Sequence, residues 1–334
     1  MKNFKKNSII LVLITLLILF LVLKDDFNNI VHELVNANFL FIILAFICLL
    51  LVFVFDGLAY YKIIKSYDKN YSFIKVLRML IITKFFNGIT PFSTGGQPMQ
   101  VYMLKKDGFR LTKASNIIIQ NFIIYQAALV LYGLIAMAIN AKFNYFKNIT
   151  ILKDLIILGF LINTGVMIGL FIISFSNKFN HFIVNKSINI LSKLKLVKDK
   201  ETTLNKWNER VDDFHEGATF LKNNKLLCLE SFIYNLLSLT AIYVMPYFVI
   251  MALGNVNDVT PLKSIVSSAY ILIIGSFVPI PGASGGIEYG YLQFFGSFIK
   301  GGILKASLLI WRFISYYFPM IIGAIVFNLK GSKE

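Results

Sequence analysis

The chain has very little of what metal centres and disulfide frameworks are made from. Its 334 residues include two cysteines, Cys48 and Cys228, and three histidines, His32, His181 and His215. The cysteines lack disulfide or metal-ligand spacing and the histidines are scattered, so neither a structural disulfide nor a metal site is expected. Charge is scarce as well. Only 15% of residues are charged, against roughly a quarter in soluble domains. Acidic residues are the rarer sign, 17 Asp and Glu against 33 Lys and Arg, for a net charge of +16. No P-loop, paired carboxylates or nucleophile–base–orienter arrangement can be found. These gaps lower the expectation of catalysis, although a membrane transferase with a sparse polar site stays open. No cofactor is expected.

What the chain does have is apolar surface. It is 57% hydrophobic with a mean hydropathy of +0.71, more than a soluble core can absorb. The expected fold is therefore an all-α polytopic membrane protein. Lys and Arg concentrate in short segments beside apolar runs, as the positive-inside rule and attraction to anionic headgroups require, so nucleic acid is not an expected partner.

Six full spans are expected, at about Ser8–Leu23, Phe39–Leu58, Ile117–Ile139, Leu155–Phe175, Leu226–Leu253 and Ile303–Phe327. The first follows Lys2, Lys5 and Lys6 and is succeeded by Lys24-Asp25-Asp26 rather than a small-residue cleavage site. It reads as a retained helix with a cytoplasmic N-terminus. The stretch from there to Asn38 reads as a mixed polar loop. Lys330 and Lys333 suit a cytoplasmic C-terminus. The long polar segment Asn177–Lys225 holds ten Lys or Arg against six Asp or Glu. Phe179, Phe182, Ile183, Ile190, Leu194 and Leu196 recur in it at helical spacing. It reads as a cytoplasmic amphipathic linker at the membrane surface, with anionic lipid headgroups or a protein partner against it. It divides a single integral domain, 1–334, into halves 1–176 and 226–330.

Each half contains the same interruption. Pro91-Phe92-Ser93-Thr94-Gly95-Gly96 and Pro281-Gly282-Ala283-Ser284-Gly285-Gly286 align without gaps at 190 residues, the distance from Pro91 to Pro281. Pro removes a backbone donor and Gly-Gly frees φ, so both points disfavour helix. Unpaired backbone in hydrocarbon costs several kcal/mol per group, and a break survives only inside protein or beside a polar cavity. Broken helices at matching positions of two halves point to a transporter's binding site. Basic groups on both flanks of the first break, among them Lys75, Arg78, Lys105 and Lys106, favour a re-entrant hairpin at about 73–104 over a single crossing. The second hairpin, about 262–299, then enters from the other side, giving inverted-topology repeats.

The candidate substrate-binding residues cluster at these breaks. The first offers Asn87, Thr90, Pro91, Ser93, Thr94, Gly95, Gly96, Gln97 and Gln100, with Lys84 one turn upstream. The exposed N–H groups and positive dipole end of a broken helix attract an anion such as phosphate. The second offers Pro281, Ser284, Gly285, Gly286 and Glu288, with Ser276, Tyr289 and Tyr291 nearby. An intramembrane carboxylate needs a partner, and Arg312 in the last span is the one available. The competing reading is that all these groups merely satisfy their own broken backbone. Gln120, Asn121, Gln126, Asn235 and Ser238 read as helix–helix glue, and Asp56 as a cap or pairing group at a span end.

At these residues the chain resembles the lysylphosphatidylglycerol synthase transmembrane-domain family, the flippase half of the multiple peptide resistance factor. The resemblance rests on Asn87-Gly88-Ile89-Thr90-Pro91 running into Gly95-Gly96, and on Pro279-Ile280-Pro281 running into Gly285-Gly286 and Glu288. It rests also on Arg312-Phe313-Ile314-Ser315-Tyr316-Tyr317 with Pro319 and Gly323. It implies two re-entrant helices and movement of lipid between leaflets, in a bacterial inner membrane. The soluble lysyltransferase domain of the two-domain members has no counterpart before Glu334, so a transporter is expected rather than an enzyme. Gly96-Gln97-Pro98 replaces the Gly-Glu and Arg forms common in the family, which leaves the headgroup open. On this reading Lys84 and Arg312 attract phosphate, Tyr316 joins them as a substrate-binding residue, and Glu288 balances charge or meets a cationic headgroup. A lipid-modifying enzyme or subunit is the alternative. A homo-oligomer and a separate synthase partner both stay open.

Overall fold

The computed structural model of the protein describes residues 27–146, 150–193, 199–254, 256–276 and 278–331. Among them the chain is helical, with no strand. Five helices are long and apolar enough to cross a membrane: α2 (Phe39–Tyr67), α5 (Leu111–Phe143), α6 (Thr150–Phe175), α9 (Lys225–Leu253) and the last span. The last span runs through α12 (Gly301–Arg312), a π turn (Phe313–Tyr317) and α13 (Phe318–Gly331). The protein is thus a multi-pass membrane protein, and the expected span at Ser8–Leu23 lies outside the described residues.

Before α2 the sequence reading is corrected. The expected polar loop contains a helix, α1 (Phe27–Val35), whose Ile30 is buried with Leu253 and Ala306. Phe27, Ile30, Val31 and Leu34 recur at helical spacing, which the adjoining charges obscured.

Each break lies between two short helices. α3 (Phe73–Ile89) and α4 (Gly96–Lys106) flank the first; α10 (Pro261–Gly275) and α11 (Gly286–Phe295) flank the second. At 1.5 Å per residue they run about 25, 16, 22 and 15 Å, all short of a hydrocarbon core of about 30 Å. The partners in each pair pack on one another.

The halves interlock. α2 of the first half lies along α9 of the second, and α3 lies along α13. Between helices in lipid the hydrophobic effect is weak, so close approach of small residues and buried hydrogen bonds carry association. Ala45, Cys48 and Ala59 of α2 are buried, as are Ser231, Asn235, Ser238 and Ala241 of α9. Gly323 lets the last span close on α3: a Cβ there would stand 2.4 Å from the Ile81 carbonyl oxygen. Pro246 interrupts the ladder of α9, and Ser264 of α10 repairs it. Its Oγ donates to the Tyr243 carbonyl at 2.9 Å and accepts the Tyr247 N–H at 3.1 Å.

The polar linker forms two helices, α7 (Asn177–Lys193) and α8 (Lys200–Asn223), packed on each other. Leu194 and Leu196 lie outside the described residues. Phe179, Phe182, Ile183 and Ile190 of α7 are exposed. α8 also docks on α5, where Gln120 Nε2 donates to the Gly217 carbonyl at 2.7 Å.

Candidate functional site

The two breaks share a turn and then diverge: Thr94 and Gly95 return to right-handed backbone, whereas Ser284 is extended and Gly285 is left-handed (φ 87°). Pro91–Ser93 and Pro281–Ala283 each form a 3₁₀ turn with two successive residues in the left-handed region. These are Phe92 (φ 52°) and Ser93 (φ 54°) in the first, Gly282 (φ 66°) and Ala283 (φ 51°) in the second. In both, the residue after the turn is a hydroxyl that reaches back. Thr94 Oγ1 donates to the Pro91 carbonyl at 3.0 Å, and Ser284 Oγ donates to the Pro281 carbonyl at 3.0 Å. Left-handed backbone costs a non-glycine residue roughly 1–2 kcal/mol, so strain is retained at the same place twice.

The helices that resume after the breaks are capped differently. In the first, Thr90 Oγ1 accepts the Gly95 N–H at 2.8 Å and Asn87 Oδ1 accepts the Gly96 N–H at 2.9 Å. A Cβ on Gly96 would lie 2.2 Å from that Asn87 oxygen, so glycine is needed for the cap to close. In the second, a carboxylate does this work: Glu288 Oε2 accepts the Gly285 N–H at 2.6 Å. Neutral caps serve the more open break, where Pro91, Phe92, Ser93 and Thr94 are exposed. The charged cap serves the closed one, where Gly282, Ala283, Ser284 and Glu288 are buried. Gln97 is half-buried beside the first break.

Glu288 and Arg312 form the expected pair. Arg312 Nε stands 2.7 Å from Glu288 Oε1, and both residues are 3% exposed. The N–H points off the line to the oxygen, so the contact is an ion pair rather than a directed hydrogen bond. The guanidinium also donates through Nη2 to the Gly282 carbonyl at 3.1 Å and lies 4.5 Å from the Tyr316 ring centroid. Arg312 thereby answers a carbonyl that the break leaves unpartnered, a carboxylate and an aromatic face together.

Tyr316 ties the two breaks to each other. Its hydroxyl donates to the Gly88 carbonyl at 2.8 Å, an acceptor freed where α3 ends. Its ring lies over Gly282, where an added Cβ would stand 2.3 Å from the ring. The two 3₁₀ turns touch directly. Sequence reading placed Tyr316 among the substrate-binding residues; its bond across the halves leaves no trace in a motif.

Two residues expected at the first break belong elsewhere. Lys84 Nζ lies 3.6 Å from Asp56 Oδ2 of α2, in a loose ion pair. Gln100 is buried and accepts the Tyr60 hydroxyl at 3.2 Å. Both join a second polar group that sequence reading took for packing glue. Ser238 Oγ donates to Asp56 Oδ1 at 2.6 Å, and Asn121 lies within hydrogen-bond reach of Tyr60. Asn235 Nδ2 reaches Asn121 Oδ1 at 3.4 Å. Asp56 is therefore a pairing group within the helix bundle rather than at a span end. Among the described residues no group of His, Cys, Asp and Glu is placed to hold a metal ion. Shallow surface depressions lie at the α11–α12 turn, lined by Leu292, Gln293 and Lys300, and on α7, lined by Phe182, Lys186 and Ile190.

Comparison with known proteins supplies the family. The family model described as the lysylphosphatidylglycerol synthase TM region matches residues 8–323, which include both breaks, Arg312 and Tyr316. The chain belongs to this family. Its curated relatives include a UPF0104 membrane protein of Archaeoglobus fulgidus, 25% identical over 90% of this chain and 89% of the relative. A UPF0104 membrane protein of Methanocaldococcus jannaschii is 23% identical over 96% of this chain and 94% of that one. An uncharacterized protein of Mycoplasma pneumoniae is 22% identical over 96% and 85%. These relatives are archaeal and bacterial, and the match covers 85–94% of the length of each.

Proposed function

We propose that the protein is a lipid translocase, not an enzyme, that passes a phospholipid headgroup between leaflets where the two broken helices meet. The observation that carries this reading is the bonded contact of two equivalent breaks, one from each half, through Tyr316 and the Gly88 carbonyl. Broken helices bring backbone donors and acceptors to membrane depth, where a headgroup needs them. The short helix pairs α3–α4 and α10–α11 act as re-entrant hairpins of inverted repeats, in a cytoplasmic membrane with cytoplasmic termini.

The groups at the breaks are engaged in holding the backbone in this closed arrangement, so headgroup passage requires the halves to part. Opening releases the Gly88 carbonyl, the Tyr316 hydroxyl and one face of the Arg312 guanidinium. A guanidinium freed in this way suits a phosphodiester, since its planar fork matches two oxygens at once. An anionic phospholipid such as phosphatidylglycerol, aminoacylated or not, is the substrate class this favours, and polyprenyl-linked phosphate shares the chemistry. The exposed face of α7 rests on anionic lipid.

Proteoliposomes carrying trace fluorescent phosphatidylglycerol test the reading through leaflet-selective quenching. Wild type is expected to expose nearly all of the probe, where protein-free vesicles expose about half. Equal exposure with and without protein, for phosphatidylglycerol, its lysyl derivative and zwitterionic controls, would refute it.

A further inference from the structure

The ion pair between Asp56 and Lys84 has a chemical consequence that the breaks do not. α2 and α3 run antiparallel from the loop that joins them, and each residue sits about three turns, roughly 16 Å, from that loop. Asp56 uses its two oxygens differently. Oδ1 accepts the Ser238 hydroxyl at 2.6 Å, whereas Oδ2 faces Lys84 Nζ at a loose 3.6 Å. Adding a proton at Oδ2 therefore leaves the Ser238 bond in place and removes only the attraction for Lys84. The other titratable groups near Asp56 are Tyr60 on the same helix and Tyr125 of α5. α9 presents Ser238, and the π turn, which also touches α2, carries Tyr316 and Tyr317.

A lysine inside a membrane bundle needs one negative charge beside it, and a second anion at the same ammonium is repelled. Asp56 and an incoming phosphate group thus compete for Lys84. With both anionic, the site carries a net negative charge in a medium of low dielectric. With Asp56 neutral it stays balanced. We infer that Asp56 is a proton site exchanged against the substrate: a phosphate anion binds Lys84 together with one proton on Asp56, and the two leave together. The atoms balance simply. The proton comes from solvent to Oδ2, and no bond other than that O–H is made.

One helical turn along α2 from Asp56, Tyr60 opens a buried run of hydroxyl and amide groups with Gln100, Asn121 and Asn235. The Asp56–Ser238 bond, which joins α2 of one half to α9 of the other, holds Oδ1 in place while Oδ2 takes the proton. The inference rests on the translocase reading for its substrate. The anion chemistry is shared by a lipid phosphodiester and by free phosphate.

Binding of dihexanoyl phosphatidylglycerol to purified protein tests it, because that phosphodiester does not itself titrate near neutrality. Wild-type affinity is expected to fall as pH rises, by up to about tenfold per pH unit, with uptake of one proton per lipid bound in weak buffer. Asp56→Asn keeps an acceptor for Ser238, so its affinity should be independent of pH and its proton uptake lost. Lys84→Gln should abolish binding. A wild-type affinity that ignores pH, a pH slope that survives Asp56→Asn, or tight binding by Lys84→Gln would overturn the inference, the first without needing any variant. Inorganic phosphate in place of lipid separates the sources. Phosphate binding with proton uptake that Asp56→Asn removes, where the lipid does not bind, keeps the exchange and assigns it to a free anion. Lipid transfer without pH linkage sinks the exchange and leaves the translocase; pH-linked binding without transfer does the reverse.

Discussion

At the scale of single residues, the two breaks offer a matched comparison. Position 92 and position 282 share the same left-handed backbone, but one is an exposed Phe and the other a Gly under the Tyr316 ring. Gly282→Ala adds left-handed strain and pushes into Tyr316, so it should cost about 2–4 kcal/mol. Phe92→Gly relieves strain while giving the unfolded chain more freedom, and should fall within about 0.5 kcal/mol of wild type. Thermal unfolding in detergent distinguishes the two; equal shifts would mean that the shared backbone conformation is wrong. Arg312→Ala leaves Glu288 buried without its cation and the Gly282 carbonyl without a donor. A loss of roughly 3–5 kcal/mol is expected. The double substitution Glu288→Gln with Arg312→Met removes both charges, and should recover most of that loss. If the double variant is no more stable than Arg312→Ala, the pair is not the reason for the instability. The Glu288–Arg312 pairing was legible from sequence because an intramembrane carboxylate demands a cation. The assignment of Lys84 was not, since a lysine stem can reach along its own helix or across to the next, and Asp56 lies on the next.

At the scale of elements, hydrophobic runs located the long helices, and duplicated Pro and Gly located the breaks. Sequence could not tell which helices touch. The repair of α9 at Pro246 by a serine from α10 depends on such a contact. Ser264→Ala leaves the Tyr247 N–H without its acceptor, while the Tyr243 carbonyl keeps the Ser268 hydroxyl at 3.0 Å, and should destabilise by about 1–3 kcal/mol. A neutral Ser264→Ala would show that the bent ladder closes without it. The α7–α8 pair carries a pH dependence whose sign follows from its hydrogen bonds. His181 approaches Asn208 Oδ1 at 2.9 Å with Nδ1 and Asp212 Oδ1 at 3.0 Å with Nε2. The Asn208 contact, then the Asp212 contact, raises its pKa above the ordinary 6.5. A folded-state pKa above the unfolded one gives stabilisation that is complete below the unfolded value and lost as pH rises through the folded one. Hydrogen-exchange protection of α7 should therefore decline as pH rises past the ordinary histidine value, and His181→Gln should flatten the decline. Protection that rises with pH would contradict the assignment.

At the scale of the whole molecule, two halves are joined by a few polar bonds among many apolar contacts. Tyr316 to Gly88 and Ser238 to Asp56 both cross between halves, and both involve groups that a phosphate would engage or displace. This is the arrangement expected of a closed state whose opening is linked to its ligand. The duplicated motif made two equivalent breaks visible in the sequence. Their contact became visible only when the chain was folded, because the motif carries no sign of which carbonyl a tyrosine 228 residues away will reach. The central claim is that the paired breaks pass lipid, and a variant that keeps the fold while losing the charges addresses it most directly. Leaflet-resolved transfer of fluorescent phosphatidylglycerol should be rapid in wild-type proteoliposomes. It should fall at least tenfold in the Glu288→Gln, Arg312→Met protein reconstituted at equal density and shown to be folded. Transfer at the wild-type rate by that variant, or none above protein-free vesicles by wild type, would contradict the account.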